Sequence, residues 1–342
     1  MLQLAVDIGW GWTLALKTVL VLAIVPLAAL VLGYTFLLKM MSHMQSRLGP
    51  MDPGGFHGWF QLVGDGIKCL QKEDVMPAEA DRRVFAIAPA VVVISTFLVF
   101  VVVPTGPKLV VDNLDVGVFY ALAVSSLSVI GVLMAGWASA NKFALLGALR
   151  AAAQLIAYEL PLLLAVVGVV VQAGTMSLQG IVHAQQSGSI FGWSGIGFPF
   201  VLTQVVGFLL FLVASQAELT QTPFDMPVAE SELVAGYMVE YTGFRFLFFF
   251  IGEFGTAFAF AALAATLFLG GWSVPWVHGT AADVLGIPIL FVKLMLVAFL
   301  MFWVRFTYPR LREDQLQSLA WKFLIPIGLA NILITGIFKV AF

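Results

Sequence analysis

Glu159, Glu253 and Lys293 each stand inside a run of apolar sequence long enough to cross a bilayer, and an ionisable group there needs a chemical reason. A charge at the bilayer centre costs on the order of 3 kcal/mol, so three such groups imply a protein-lined or hydrated interior in which they pair or change protonation. Burial drives carboxyls and amines toward their neutral forms, which suits groups that exchange protons near neutral pH. The alternative reading is a structural Glu–Lys pair that holds helices together. A second concentration of chemistry lies between Glu218 and Tyr241, where Glu218, Asp225, Glu230, Glu232 and Glu240 occur without a single Lys or Arg from Ala151 to Phe244. Such a cluster meets a basic surface or has neighbours that keep some of its members protonated; a solvated acidic connector is the plainer alternative. Pro223 and Pro227 bracket Phe224-Asp225-Met226, so the aromatic and the acid sit on a stiff turn.

The elements that must position these groups are membrane helices. With 61% hydrophobic and 11% charged residues in a chain of 342, there is more apolar surface than a soluble fold of this length buries. Runs of about 20 residues fall at 14–38, 83–104, 116–137, 151–173, 198–217, 246–270, 284–304 and 318–340, which predicts an all-α, polytopic membrane protein with about eight transmembrane helices in a single domain, 1–342. The first run lacks the charged leader and small-residue cleavage site of a signal peptide and reads as a mature helix.

An even number of spans puts both termini on one side. The loops 39–82, 138–150, 218–245 and 305–317, with the helix ends beside them, carry thirteen Lys and Arg residues against Lys17, Lys108 and Lys339 on the other face. The excess places those loops in the cytoplasm and both termini on the outer side of the cell membrane. Within the first loop Trp59, Val63, Ile67 and Leu70 recur at helical spacing while Gln61, Asp65, Lys68 and Lys72 fall elsewhere on the wheel, which predicts an amphipathic interfacial helix. Ahead of it, the glycines and prolines from Gly49 to Gly55 exclude regular structure. The single cysteine, Cys69, excludes a disulfide framework or a multi-cysteine metal cluster in this chain, and His43, His57, His183 and His278 are too scattered for a haem or metal pair.

Several segments, in order, resemble the family of membrane-arm, quinone-site subunits of bacterial NADH:quinone oxidoreductase, respiratory complex I. Arg47-Leu48-Gly49-Pro50, then Gln61 through Lys68 with Lys72-Glu73-Asp74, is similar to its first cytoplasmic loop. Asn141-Lys142, Leu145 through Arg150 and Tyr158-Glu159 resemble its third loop and fourth helix. Ala217-Glu218, Pro223-Phe224-Asp225-Met226-Pro227, Glu230-Ser231-Glu232-Leu233, Glu240-Tyr241 and Gly252-Glu253 resemble its acidic loop and the helix that follows. Arg305, Pro309-Arg310, Arg312, Asp314-Gln315 and Trp321-Lys322 complete a match over nearly the whole chain.

The resemblance implies a membrane-arm protein that shapes a quinone tunnel, meets other membrane-arm subunits and the peripheral-arm subunits flanking the quinone site, and couples quinone reduction to proton movement. It implies no cofactor bound by this chain, with quinone the substrate of the whole complex, and no role for nucleic acid. The positions matching its proton path are Glu159, Glu218, Glu230, Glu232 and Glu253, to which the apolar setting of Lys293 adds a sixth. Arg47, Trp59, Phe224 and Asp225 are expected at the tunnel mouth. The chain departs from the family pattern at Leu37 and Val228, where glutamates are usual, at Gln221, where an arginine is usual, and at Met51-Asp52-Pro53. A related complex with another electron donor is the alternative function. A membrane-hydrogenase anchor would need no open tunnel. A secondary transporter, for its part, would be expected to show an inverted repeat, which the sequence lacks.

Overall fold

The computed structural model describes residues 10–106, 110–188, 197–273 and 280–341, which form helices and connecting turns without a strand. α1 is Trp10–Leu32, prolonged by wide turns over Gly33–Met40 and a last turn Met41–Met44. An interfacial α2 spans Gln61–Gln71, α3 Arg82–Val99, α4 Gly117–Ala138 and α5 Lys142–Ala173. α6 is Leu178–Ser187, α7 Val205–Glu218, α8 Gly243–Phe268, α9 Thr280–Thr307 and α10 Glu313–Ala341. Seven of these are long and apolar enough to cross a membrane, and α7 is a shorter apolar eighth.

The helix starts follow capping rules: Asp81 accepts from Arg83 and Val84 N–H at the head of α3, and Asn141 accepts from Phe143 N–H at the head of α5. α8 sits at the centre of the main core, where Phe254, Phe260 and Phe268 pack with Phe211 and Phe302, while many apolar side chains of α1, α9 and α10 face outward, as lipid-exposed helices require.

Three boundaries differ from hydropathy alone. The first helix runs on to Met44, so the first loop begins later than 39. The third span is broken at Ser126, between Gly117–Ser125 and Leu127–Ala138. The fifth covers 14 helical residues, about 21 Å, instead of the twenty expected from 198–217. Pro199 and a single tight turn at Phe200–Leu202 replace its first part. Irregular backbone at membrane depth is tolerated where protein satisfies it, and here Gln185 does so. Its carbonyl and side-chain oxygens accept from Phe198 and Phe200 N–H, while its amide nitrogen donates to Thr266 O. The predicted amphipathic helix is α2, which starts at Gln61, so that Trp59 lies just ahead of it; Trp59, Ile67 and Leu70 are exposed.

Candidate functional site

One end of the bundle, hereafter the acidic end, gathers the loop 218–245, the start of α5 and the segment joining α9 to α10. Its organising element is the Pro-bracketed turn. Gln154 of α5 donates through Nε2 to Ala217 O (2.7 Å) and Phe224 O (2.8 Å), Gln216 donates to Thr222 O (3.1 Å), and Leu311 N–H donates to Pro223 O (2.9 Å). Phe224 is buried, edge-to-face on Tyr158 at 5.3 Å, and the Tyr158 hydroxyl donates to Leu316 O (2.9 Å). The turn is therefore fixed from three elements at once.

Glu253 of α8 points at this turn. Its Oε1 accepts from Gln221 Nε2 and from Arg305 Nη1, both at 3.0 Å. Where the resemblance implies an arginine, an uncharged amide thus supplies the second donor. The Arg305 guanidinium also lies 5.8 Å from the rings of Phe254 and Phe302 and 5.9 Å from that of Phe306, cation–π contacts that hold it in an apolar setting. Asp225 is close enough to feel Glu253, Arg305 and Arg310; burial dominates and pushes its carboxyl up to about 6, against the lowering effect of the Ala229 N–H and the two arginines. Burial and the negative charges of Glu253 and Asp225 raise the Tyr237 phenol.

Glu232 supplies the other junction. Its carboxylate meets Arg150 Nη1 at 2.6 Å and Arg310 Nη2 at 3.2 Å, with Arg150 Nε 3.6 Å from Glu313, and the Arg150 hydrogen bond leads in holding Glu232 below the ordinary carboxylate range. The unbalanced acidic segment finds its cations at the start of α5 and in the segment joining α9 to α10. Glu240 accepts from Asn141 Nδ2 (2.6 Å), and Arg245 pairs with Asp74 (3.1 Å).

Glu218, the last residue of α7, feels the charge of Glu159, and its Oε2 is buried without a hydrogen-bond partner among the described residues. Glu159 on α5 is hydrogen-bonded by Ser126, at the break in α4. The structure thus brings together Glu253 with Asp225, Glu159 with Glu218, and Glu232 with two arginines. The Glu230 side chain lies outside the described residues. Arg47 donates to the Gln45 side chain, Trp59 tilts against Phe60 at 4.2 Å, and among the described residues no hydrogen bond, ion pair or ring contact joins either to Phe224. Lys293 is apart from the rest: its ammonium donates to Gly271 O (2.9 Å) and Ser273 O (3.1 Å), past the far end of α8 and about 22 Å along that helix from Glu253.

Sequence reasoning missed Gln154, Tyr237 and the pairing of Arg305. An arginine at the end of an apolar span was a signal for the last; a buried amide and a phenol carry none.

The sequence model of the family described as NADH dehydrogenase matches residues 16–336. The chain is similar to the H subunit of the NADH-quinone oxidoreductase of Geobacillus kaustophilus (strain HTA426), 44% identical over 327 residues that cover 94% of this chain and 93% of that protein. The corresponding protein of Anoxybacillus flavithermus (strain DSM 21510 / WK1), of the same description, is 45% identical over 305 residues, 89% of this chain and 87% of its own. That of Brevibacillus brevis (strain 47 / JCM 6285 / NBRC 100599) is 44% identical over 334 residues, 96% and 94%.

Proposed function

The chain belongs to the NADH dehydrogenase family, and from that premise we propose that it is the membrane subunit of a proton-translocating NADH:quinone oxidoreductase that helps form the quinone tunnel and couples quinone reduction to proton movement. The observation that carries the reading is the knot of Glu253, Gln221 and Arg305 beside Asp225. A carboxylate inside a spanning helix is tolerated chiefly when it is paired, and here one cation and one neutral donor hold it next to a second acid.

In this reading the chain holds no redox centre. Quinone approaches the acidic end, framed by the Phe224-Asp225 turn and by Arg47 and Trp59 on the linker after α1, while peripheral-arm subunits cover the loops. Reduction of quinone requires protons, and Asp225, its carboxyl pushed up to about 6 by burial, can pass one toward Glu253. Glu218, Glu159, Glu230 and Glu232 extend the path away from the site. The whole chain, 1–342, forms one transmembrane domain in the cell membrane among other membrane-arm subunits, with both termini outside and the acidic end in the cytoplasm, as the Lys/Arg distribution supports.

The test uses the assembled complex in vesicles, comparing quinone reduction with the proton gradient formed. Glu253→Gln keeps the shape and hydrogen-bonding capacity but removes the titratable group; the protons moved per quinone reduced should fall while assembly persists. Full pumping in a Glu159→Gln, Glu253→Gln double variant would leave a structural ion pair as the better account.

A further inference from the structure

The two helices that carry Glu159 and Glu253 both end, away from the acidic end, under the ammonium of a neighbouring helix. α5 stops at Ala173 on Gly174, whose φ of +76° favours glycine. Its last turn has carbonyls with no helical donor. Gly174 N–H takes that of Val170, and Lys339 Nζ of α10 takes those of Val171 (2.6 Å) and Gln172 (3.2 Å). α8 ends at Phe268 and reverses through Gly270 and Gly271, at φ +75° and +52°, with Gly271 N–H donating to Ala265 O. Lys293 Nζ of α9 takes two carbonyls of that reversal, Gly271 and Ser273.

The same helix pairs are joined again at the acidic end. α8 and α9 meet there through Glu253 and Arg305, and α5 and α10 through Tyr158 to Leu316 O and Gln317 to Ala153 O. On α9 the two attachments are about 18 Å apart, and on α10 about 33 Å, at 1.5 Å per residue. One attachment lets a helix slide or tilt against its neighbour; two fix its height. A cation against the negative end of a helix suits this job because it needs no titratable partner.

We propose that Lys293 and Lys339 are positioning residues, which pin the far ends of α8 and α5 and so hold Glu253 and Glu159 at a fixed height against the acidic loop. The proposal rests on reading those carboxylates as proton carriers, and it assigns Lys293 a role other than carrying protons.

The experiment compares Lys293→Met, Lys293→Arg and Lys339→Met in the assembled complex. In Lys293→Met, amide exchange over Leu269–Ser273 should quicken by about tenfold. The infrared carboxyl band that Glu253→Gln deletes should shift, and the protons moved per quinone reduced should fall. Lys293→Arg keeps the cation but does not release its proton near neutral pH, so it should restore all three. Lys339→Met should act in the same way on Val171–Ala173 and on the band that Glu159→Gln deletes. If Lys293 carried protons, arginine would fail in pumping as fully as methionine, with amide exchange unchanged, and the proposal would be overturned. A lower melting temperature with bands and proton ratio intact would overturn it too, leaving plain structural caps. Exchange and infrared bands are read without pumping, so a failure of the proton-carrier reading, seen as full pumping in Glu253→Gln, is distinguishable from a failure of the pinning.

Discussion

At the acidic end, charged side chains meet other side chains: Glu253 with Arg305 and Gln221, Glu232 with Arg150 and Arg310. At the lysine end, cations meet backbone carbonyls and amides meet amides. Lys293 and Lys339 bind carbonyls, while Gln204 accepts from Asn331 Nδ2 (2.8 Å) and donates to Thr335 Oγ1 (2.7 Å) in a buried interhelical knot. A carbonyl neither titrates nor leaves, whereas a carboxylate can lose its charge and release its partner. The difference teaches that at one end the accepting partner of a contact can change charge, whereas at the other the acceptor is fixed and only the lysine can.

The sharpest way to break that comparison is Arg305→Met. It leaves Glu253 facing Gln221 alone and removes the cation from three aromatic rings. The loss should be about 3 kcal/mol, the low end for breaking a buried pair, because the Arg305 and Glu253 side chains keep 22% and 28% of their exposure. Thermal unfolding of the assembled complex should fall accordingly, and quinone reduction with it. Unchanged behaviour would mean that the knot is not what organises this end.

Next in size is the pH response of Asp225. Its folded carboxyl sits at about 6, above the ordinary 3.8, so the fold favours the protonated form. A raised carboxyl contributes stability below its unfolded value and loses it as pH rises through the folded one. Between about pH 4 and 7 the protein should lose about 2 kcal/mol from this group, and Asp225→Asn should flatten that slope in melting curves taken against pH. A slope that survives the substitution would assign the titration to another group.

Asn331→Leu probes the lysine end. Interhelical hydrogen bonds in membranes contribute about 0.6–1.7 kcal/mol, so the variant should melt slightly lower with its proton-to-quinone ratio intact. A changed ratio would show that the lysine end also takes part in coupling.

These contrasts were unevenly legible in the sequence. Spans follow from hydropathy, and the stiff turn from Pro223 and Pro227, because both are local properties. The short α7 was not legible, since the backbone from Phe198 to Phe200 is satisfied by Gln185, a residue outside its own segment. Nor was the partner of Lys293, because a backbone carbonyl has no sequence signature. The cations of the acidic loop lie about 80 residues away in chain order, so a local scan sees five unbalanced carboxylates where the fold has a cross-linked joint.

The smallest effect should come from Glu232→Gln, and it bears on how far the acidic end is a surface feature. Arg150 and Arg310 hold the Glu232 carboxyl below its ordinary value, so its contribution is present above the unfolded pKa and lost as pH falls through the folded one. The side chain keeps half its exposure, which places the pair among surface ion pairs, and water and salt screen most of the attraction. The variant should therefore lose less than about 1 kcal/mol at pH 7, and the difference should fade in about 1 M salt. It should also fade as acid protonates Glu232 in the unmodified chain. Arg150 would remain tethered to Glu313, and Leu311, next to Arg310, to Pro223 O, so α5, the acidic loop and the α9–α10 segment should stay together. If instead quinone reduction collapsed in Glu232→Gln at unchanged melting temperature, Glu232 would act by its proton rather than by its pairing, and the path away from Asp225 would run through the loop surface.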